Sequence, residues 1–287
     1  MEIPMRVGLH VSISGSIDLA IDRALDRGCD TFQIFTRNPR GWRFKPLSRE
    51  EVERFTRKLA DSGMDPAVAH MPYLPNLASP KEGVYERSVE ALKAEVRRCG
   101  LLNIPYLVTH LGSHLGAGVD VGRKRIVDAC NDALSEVEND VILLLENTAG
   151  TRNSMGSTFE EIRSVIDGID QEDRVAVCFD TCHAFAAGYD LRTEEALSET
   201  LGRFDEVIGL DLLRVVHLND SKGGLGSRVD RHEHIGLGFI GEEGFKTILR
   251  NEMIRRLPLI LETPIDRRRD DYGNIRKVRE LAKISQR

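Results

Sequence analysis

Eight short apolar runs, spaced along the whole chain, are the feature that most restricts its fold. They read RVGLHV (6–11), TFQIF (31–35), PAVAH (66–70), YLVTH (106–110), VILLLE (141–146), VAVCFD (175–180), RVVHL (214–218) and PLILE (258–262). Each is short and largely apolar, as a strand buried on both faces must be. Amphipathic segments fill the gaps. SIDLAIDRALDRG stops at Gly28, and SREEVERFTRKLADSG opens with Ser48 and carries Glu51 three residues later, a capping box. YERSVEALKAEVRRCGLL, RKRIVDACNDALSEVE, TFEEIRSVIDGI, TEEALSETLGRF, GEEGFKTILRNEMIR and NIRKVRELAKIS complete a set of eight predicted helices. Eight alternating strand–helix units over residues 1–287 predict an α/β fold, a single (β/α)8 TIM barrel. An open doubly wound sheet is the architectural alternative. It loses ground because no glycine-rich phosphate fingerprint follows the first run.

The runs share a second property. Most of them, six of the eight, end at or beside a metal-competent residue: His70, His110, Glu146, Asp180, His217 and Glu262. Barrel active sites lie at the C-terminal ends of the strands, so six such residues from six strands converge on one mouth. A lone strand-end histidine is more often a hydrogen-bonded core residue, and a lone carboxylate more often caps the next helix. Six at one end are hard to explain that way, because desolvating carboxylates is costly without a cation. His183 lies three residues past Asp180, and Asp230 and His232 lie two apart, which raises the set to five histidines and four carboxylates. One zinc takes about four protein ligands, so nine suit two or three ions sharing a carboxylate. Nitrogen and oxygen donors suit zinc or manganese in a hydrolase, and multi-ion sites favour in-line displacement at phosphorus.

The remaining composition sets bounds. The five cysteines, Cys29, Cys99, Cys130, Cys178 and Cys182, form no CxxC and read as buried reduced thiols, Cys182 beside His183 as packing. MEIPMRVGLHVS has no signal-peptide pattern, and no apolar run is long enough to span a membrane, so a cytoplasmic location and no membrane partner are expected. The net charge of −6 argues mildly against a nucleic-acid partner, since phosphate binding usually needs a basic face.

Longer motifs carry a resemblance. VCFDTCHAFAAGYDLRT (177–193), HLNDSKGGLGSRVDRHEHIGLG (217–238), LLENTAG (144–150), HLGSH (110–114), HMPYLPNL (70–77) and LILET (259–263) resemble signature stretches of the endonuclease IV family. The resemblance runs from GLHVS to the last strand and fits all nine candidate ligands. It implies a barrel with three zinc ions that cleaves DNA 5′ to an abasic site, leaving a 3′-hydroxyl and a 5′-deoxyribose phosphate. Carried over motif by motif, His70, His110 and Glu146 hold the first ion. Glu146 bridges to the second, shared with Asp180, His217 and Glu262, while His183, Asp230 and His232 hold the third. Glu146 or Glu262 then serves as the catalytic carboxylate that orients or deprotonates the attacking water.

The resemblance also implies loops that grip double-stranded DNA. TRNPRGWRFK (36–45) is basic with one aromatic, which singles out Arg40 and Trp42. Tyr73 and Leu74 are candidate wedges, and Lys222, Arg228 and Arg231 candidate phosphate contacts. Gly41 departs from the pattern: bacterial members carry a larger polar residue there, and a glycine cannot fill the space of a flipped nucleotide. His10 and His114, near strand ends, are expected to orient ligands, and His234 is left between that role and the surface. The functional alternative is a xylose isomerase-like sugar isomerase or epimerase, which would use Glu146, Asp180, His217 and Glu262 but leave the other five ligands surplus. A non-enzymatic binding module would leave all nine without purpose. A monomer is expected, because one barrel needs no partner to complete its site.

Overall fold

The computed structural model describes residues 5–284. Residues 1–4 of the leader reading, and Ser285 at the end of the eighth predicted helix, lie outside the described residues. In chain order the elements are β1 (Arg6–His10), α1 (Leu19–Asp26), β2 (Thr31–Ile34), α2 (Arg49–Ser62), β3 (Ala67–His70), α3 (Glu82–Leu101), β4 (Tyr106–His110), α4 (Val119–Glu136), β5 (Ile142–Glu146) and α5 (Phe159–Ile166). Then come β6 (Val175–Asp180), α6 (Thr181–Ala187), α7 (Glu194–Val207), β7 (Leu213–His217), β8 (Asp220–Ser221), β9 (His232–Glu233), α8 (Gly241–Arg250), α9 (Glu252–Arg256), β10 (Pro258–Leu261) and α10 (Asp271–Ile284). Eight strands close a parallel barrel in the order β1-β10-β7-β6-β5-β4-β3-β2, while β8 and β9 form a small antiparallel ribbon. The chain is therefore an α/β TIM barrel. Among the described residues, no helix is long and apolar enough to cross a membrane.

Local chemistry sets the element boundaries. Ser48 and Glu51 form the reciprocal capping box at the start of α2, and Gly63 ends that helix in the left-handed region at φ 70°. The seventh predicted helix is two. Asn251 leaves the helical region and its side chain accepts from the Ile254 amide, closing α8 and opening α9. α6 has no counterpart among the predicted helices. Asp180 ends β6, and its carboxylate accepts from the His183 amide, so the same residue starts a seven-residue helix.

Two apolar layers explain where the site must sit. The larger core lies between strands and helices and contains Phe32, Phe55, Phe159, Phe179, Phe204 and Phe245, all fully buried. A second cluster is built only from strand residues, Val68, Val108, Leu144, Ala176, Cys178, Val215 and Ile260, and fills the barrel interior. Side chains two apart on a strand share a face. Stepping two residues on from six of these interior positions gives His70, His110, Glu146, Asp180, His217 and Glu262. One inward face of the barrel thus turns from apolar to ligand-bearing between one layer and the next.

Gly8 occupies the corresponding position on β1. A Cβ there would stand 1.8 Å from the Thr31 carbonyl oxygen, an atom of the neighbouring strand's backbone. Gly8→Ala is expected to force β1 and β2 apart and destabilise the fold by about 3 kcal/mol or more. Denaturant unfolding checks this; a midpoint equal to that of the unsubstituted protein would contradict the packing described.

Candidate metal centre

The structure brings the nine candidate ligands of the sequence together at the C-terminal mouth of the barrel. Their donor atoms fall into groups whose members all lie within 4.8 Å of one another: His70, His110 and Glu146; Glu146, Asp180, His217 and Glu262; and His183, Asp230 and His232. Glu146 belongs to two groups. Glu146, Asp180 and His217 are fully buried, whereas the side chains of His110 and Asp230 are 44% and 47% exposed.

The histidines are held in one pattern. His70 Nδ1 donates to the Met71 carbonyl at 2.7 Å, and its Nε2 faces Glu146 Oε2 at 3.2 Å. His183 Nδ1 donates to the Asn147 carbonyl at 2.9 Å, and its Nε2 faces Asp230 at 3.1 Å. His232 Nδ1 donates to the Glu262 carbonyl at 3.1 Å, which leaves its buried Nε2 without a hydrogen-bond partner. That nitrogen lies 3.6 Å from Asp180 Oδ2 and 4.0 Å from Asp230 Oδ1. His217 is turned the other way: Nε2 donates to Gln33 Oε1 at 2.8 Å, and Nδ1 faces Glu146 at 3.0 Å and Glu262 at 3.4 Å. In His70, His183, His232 and His217 one ring nitrogen is spent on a fixed acceptor, so the other presents a lone pair to carboxylate oxygens.

Lone pair against carboxylate is repulsive unless positive charge lies between them. Among the described residues, Glu146, Asp180, Asp230 and Glu262 form ion pairs with histidines only, never with lysine or arginine. Burial by itself lowers the pKa of His110 and His183, yet the facing carboxylates Glu146, Asp180 and Asp230 raise both. Burial likewise opposes the charge on Glu146 and Glu262, and the surrounding histidines still hold both carboxyls well below the usual range. The cluster therefore demands cations, as protons on its histidines or as divalent ions on their lone pairs. The orphaned Nε2 of His232 and the pre-set ring orientations fit the second. A fourth grouping adds Cys182 to Asp180 and His232, but burial pushes that thiol up to about 12 and its sulfur contacts the Arg231 carbonyl at 3.7 Å.

Several residues that position the ligands were not singled out from the sequence. Gln33 is fully buried and donates to Glu262 Oε1 at 2.7 Å while accepting from His217. Asn147 accepts from the Asp180 amide at 2.7 Å, and Asn219 donates to Asp180 Oδ2 at 2.8 Å. Asp220, buried, accepts from the amides of Ser221, Gly236, Gly238 and Ile240, and so fixes both ends of the excursion that delivers Asp230 and His232. The signal available was position: Gln33 is a polar residue inside an apolar run, and Asn147 and Asn219 follow ligand-bearing strand ends within two residues.

The remaining histidines divide. His10 does contact a ligand, its Nδ1 lying 3.3 Å from Glu262 Oε1 and 3.0 Å from Gln33 Nε2. With Gln33 donating to Nδ1, the proton sits on Nε2, which is buried and unpartnered. Burial keeps the His10 pKa lowered despite Glu262. His114 does not orient a ligand; its Nδ1 accepts from the amides of Gly116 and Gly118 and closes a turn. His234 is fully buried rather than superficial, between Asp266 and Asn274.

Above the cluster is a cavity of about 440 Å³ lined by His10, Phe35, His70, Tyr73, His232 and Glu262 among others. It continues into a groove of about 890 Å³ with Ser12, Ser14, Asn38 and Arg40. Arg40 and Tyr73 thus line the mouth, and Leu74 beside them is exposed. Trp42 lies outside these linings: it is half-buried against the core, with the Arg87 guanidinium 4.7 Å above its ring. The loop around it is rigidly held, because Arg37 and Arg98, buried beside Glu95, donate to the carbonyls of Gly41, Trp42, Thr36 and Lys45. A Cβ at Gly41 would meet nothing closer than 3.8 Å, so the backbone does not require glycine there. Lys222, Arg228 and Arg231 are exposed on the segment joining β8 to β9, beside Asp230.

Comparison with known proteins identifies the lineage. A family model described as xylose isomerase-like TIM barrel matches residues 21–284. The chain is 62% identical over 277 residues to "Probable endonuclease 4" of Methanoculleus marisnigri, covering 96% of this chain and 98% of that protein. It is 52% identical over 280 residues to "Probable endonuclease 4" of Nitrosopumilus maritimus, covering 97% and 100%. The chain belongs to the endonuclease IV family. Among solved structures, endonuclease IV from Thermus thermophilus superposes with a TM-score of 0.86 at 38% identity, covering 97% of this chain and 99% of that one. A D-tagatose 3-epimerase-like protein also superposes, with a TM-score of 0.71 at 21% identity, covering 98% of each chain. That likeness shows the shared barrel and no more.

Metal analysis of the isolated protein is expected to find about three divalent ions per chain. His232→Ala is expected to remove about one of them. An unchanged count in His232→Ala, or one ion or fewer in the unsubstituted protein, would dismiss the three-group assignment.

Proposed function

We propose that this endonuclease IV family member is a zinc-dependent apurinic/apyrimidinic endonuclease of base excision repair, the whole chain serving as one catalytic barrel. It hydrolyses the phosphodiester 5′ to an abasic site in double-stranded DNA. The observation that carries this reading is the ligand set: nine donors in three groups, more than one- or two-ion chemistry needs. The residues fit three zinc ions, with manganese an alternative occupant. His70, His110 and Glu146 would hold the first; Glu146, Asp180, His217 and Glu262 the second; His183, Asp230 and His232 the third. Divalent ions bound there would supply Lewis acidity toward the phosphate oxygens and a nucleophile from water at neutral pH.

The chain's own groups do the rest. Glu262 lines the cavity and is partly exposed, whereas Glu146 is sealed beneath it. We therefore assign Glu262 to orient the attacking water and take its proton, and Glu146 to hold two ligand groups in register. Gln33 fixes the Glu262 carboxylate from one side, and Asn219 Oδ1 accepts from its backbone amide at 2.8 Å. The water oxygen bonds to phosphorus as the P–O3′ bond breaks, leaving a 3′-hydroxyl and a 5′-deoxyribose phosphate. Arg40, Lys222, Arg228 and Arg231 are assigned to backbone phosphates, and Tyr73 and Leu74 to the base stack. Trp42 is reassigned from stacking on DNA to bracing its loop.

A duplex with one synthetic abasic site tests the proposal. The protein with its metal intact should nick that strand 5′ to the lesion and leave an undamaged duplex whole. Glu262→Gln should lower kcat by about 10²- to 10⁴-fold with KM little changed. An uncut abasic strand would reject the function, and near-normal turnover in Glu262→Gln would remove Glu262 from the chemistry.

A further inference from the structure

Two large apolar side chains stand out at the mouth for their exposure: Tyr73 at 68% and Ile265 at 70%. Both line the cavity over the ligand cluster and the groove beside it, with His10 and Phe35 between them in both linings. Tyr73 follows β3 and Ile265 follows β10. In the barrel order these strands lie on either side of β1 and β2, so the two side chains flank one sector of the rim. An isolated exposed isoleucine needs no explanation on a mobile surface loop. This loop is not of that kind. The Asp266 carboxylate accepts from the Arg268 amide at 2.8 Å, lies 3.0 Å from His234 Nε2 and pairs with the Arg268 guanidinium. Arg268 also reaches Glu233 at 2.9 Å, and Arg269 donates to the Ile235 carbonyl at 2.6 Å. His234, fully buried, accepts from Asn274 of α10 at 3.0 Å. The residues after Ile265 are thus bolted to the segment that carries His232. Ile265 itself is left projecting, an apolar group pre-placed at the rim and exposed to water.

Arg267 adds to this. Arg268 and Arg269 are consumed in anchoring the loop, while Arg267 is exposed and forms no ion pair among the described residues. A fixed apolar tip with a spare cation two residues away matches a duplex lacking one base: two bare base faces bordering a gap, and a phosphate alongside. We propose that the β10–α10 loop is a DNA-gripping element, with Ile265 entering the stack at the abasic gap across the rim from Tyr73 and Arg267 holding a neighbouring phosphate. This deepens the function proposed above and rests on it.

The test compares the zinc-loaded protein with Ile265→Ala, Ile265→Leu and Arg267→Ala on the abasic duplex. Ile265→Ala should raise KM about tenfold with kcat within about twofold, and Ile265→Leu should restore most of that loss. With 2-aminopurine placed beside the abasic site, fluorescence should rise when Glu262→Gln binds and rise less when Ile265→Ala is added to it. Arg267→Ala should lower the slope of log affinity against log salt by about one. Melting temperature and metal content should match the unsubstituted protein throughout, since both side chains are exposed. If the unsubstituted protein cuts the abasic duplex and Ile265→Ala shows the same KM and the same fluorescence rise, the wedge is overturned while the function stands. If the unsubstituted protein leaves that duplex uncut, the function itself has failed.

Discussion

Glu146 has no exposure to water, four histidines around it and, among the described residues, no lysine or arginine partner. Much of the mouth follows from that one buried charge. A carboxylate taken out of water costs several kcal/mol unless opposite charge replaces the solvent. Here His70 and His217 are each committed to a tautomer by a bond on the far side, His183 faces Glu146 with the Nδ1 that also bonds the Asn147 carbonyl, and His110 stands at the cavity with its Nε2 turned inward. The architecture therefore stores an electrostatic debt that only cations can discharge, and it does so at the end of the barrel where eight strands deliver side chains to one point.

The tolerance for such a cluster depends on what lies under and around it. Beneath is the dry interior layer of Val68, Val108, Leu144, Val215 and Ile260, which excludes water and gives the carboxylates a low-dielectric floor. Around it stands a ring of neutral amides. Gln33, Asn147 and Asn219 each bond to two of the candidate ligand residues, so Asp180, His183, His217 and Glu262 are each tied to an amide that also holds a neighbour. Asp180 shows how closely fold and site are joined. One of its oxygens caps α6 through the His183 amide and the other faces the ligand cluster, so the bond that starts the helix also aims His183.

The period-two pattern made the barrel and its mouth legible in the sequence. Six of the eight apolar runs placed a ligand type two residues beyond an interior position, a regularity that follows from the alternation of side chains along a strand. What lay outside the pattern was read less well. α6 is too short to show helical periodicity and exists because Asp180 caps it. Asn251 splits a helix whose apolar spacing runs on unbroken. The roles of Trp42, His114 and His234 depended on partners distant in sequence, namely Arg87 for Trp42 and Asp266 and Asn274 for His234, or on a local turn for His114. Aromatic and histidine residues in loops carry no sequence mark that separates bracing from binding. The Ile265 loop was passed over for a similar reason: three consecutive arginines look equivalent until the structure shows two of them occupied in holding the loop.

The acidic balance of the chain takes on a different meaning in this light. A net charge of −6 sits poorly with a polyanionic partner. Four of the acidic groups, however, are the candidate ligands Glu146, Asp180, Asp230 and Glu262, turned inward on one point rather than spread over the surface. Three divalent ions, the occupancy proposed here, carry six positive charges and cancel that total. The field at the mouth would then be set by the ions together with Arg40, Lys222, Arg228, Arg231 and Arg267 on the surrounding loops. Under the proposed function, acidity that repels DNA in the bare polypeptide would become, in the loaded protein, the means of concentrating positive charge where the phosphodiester would lie.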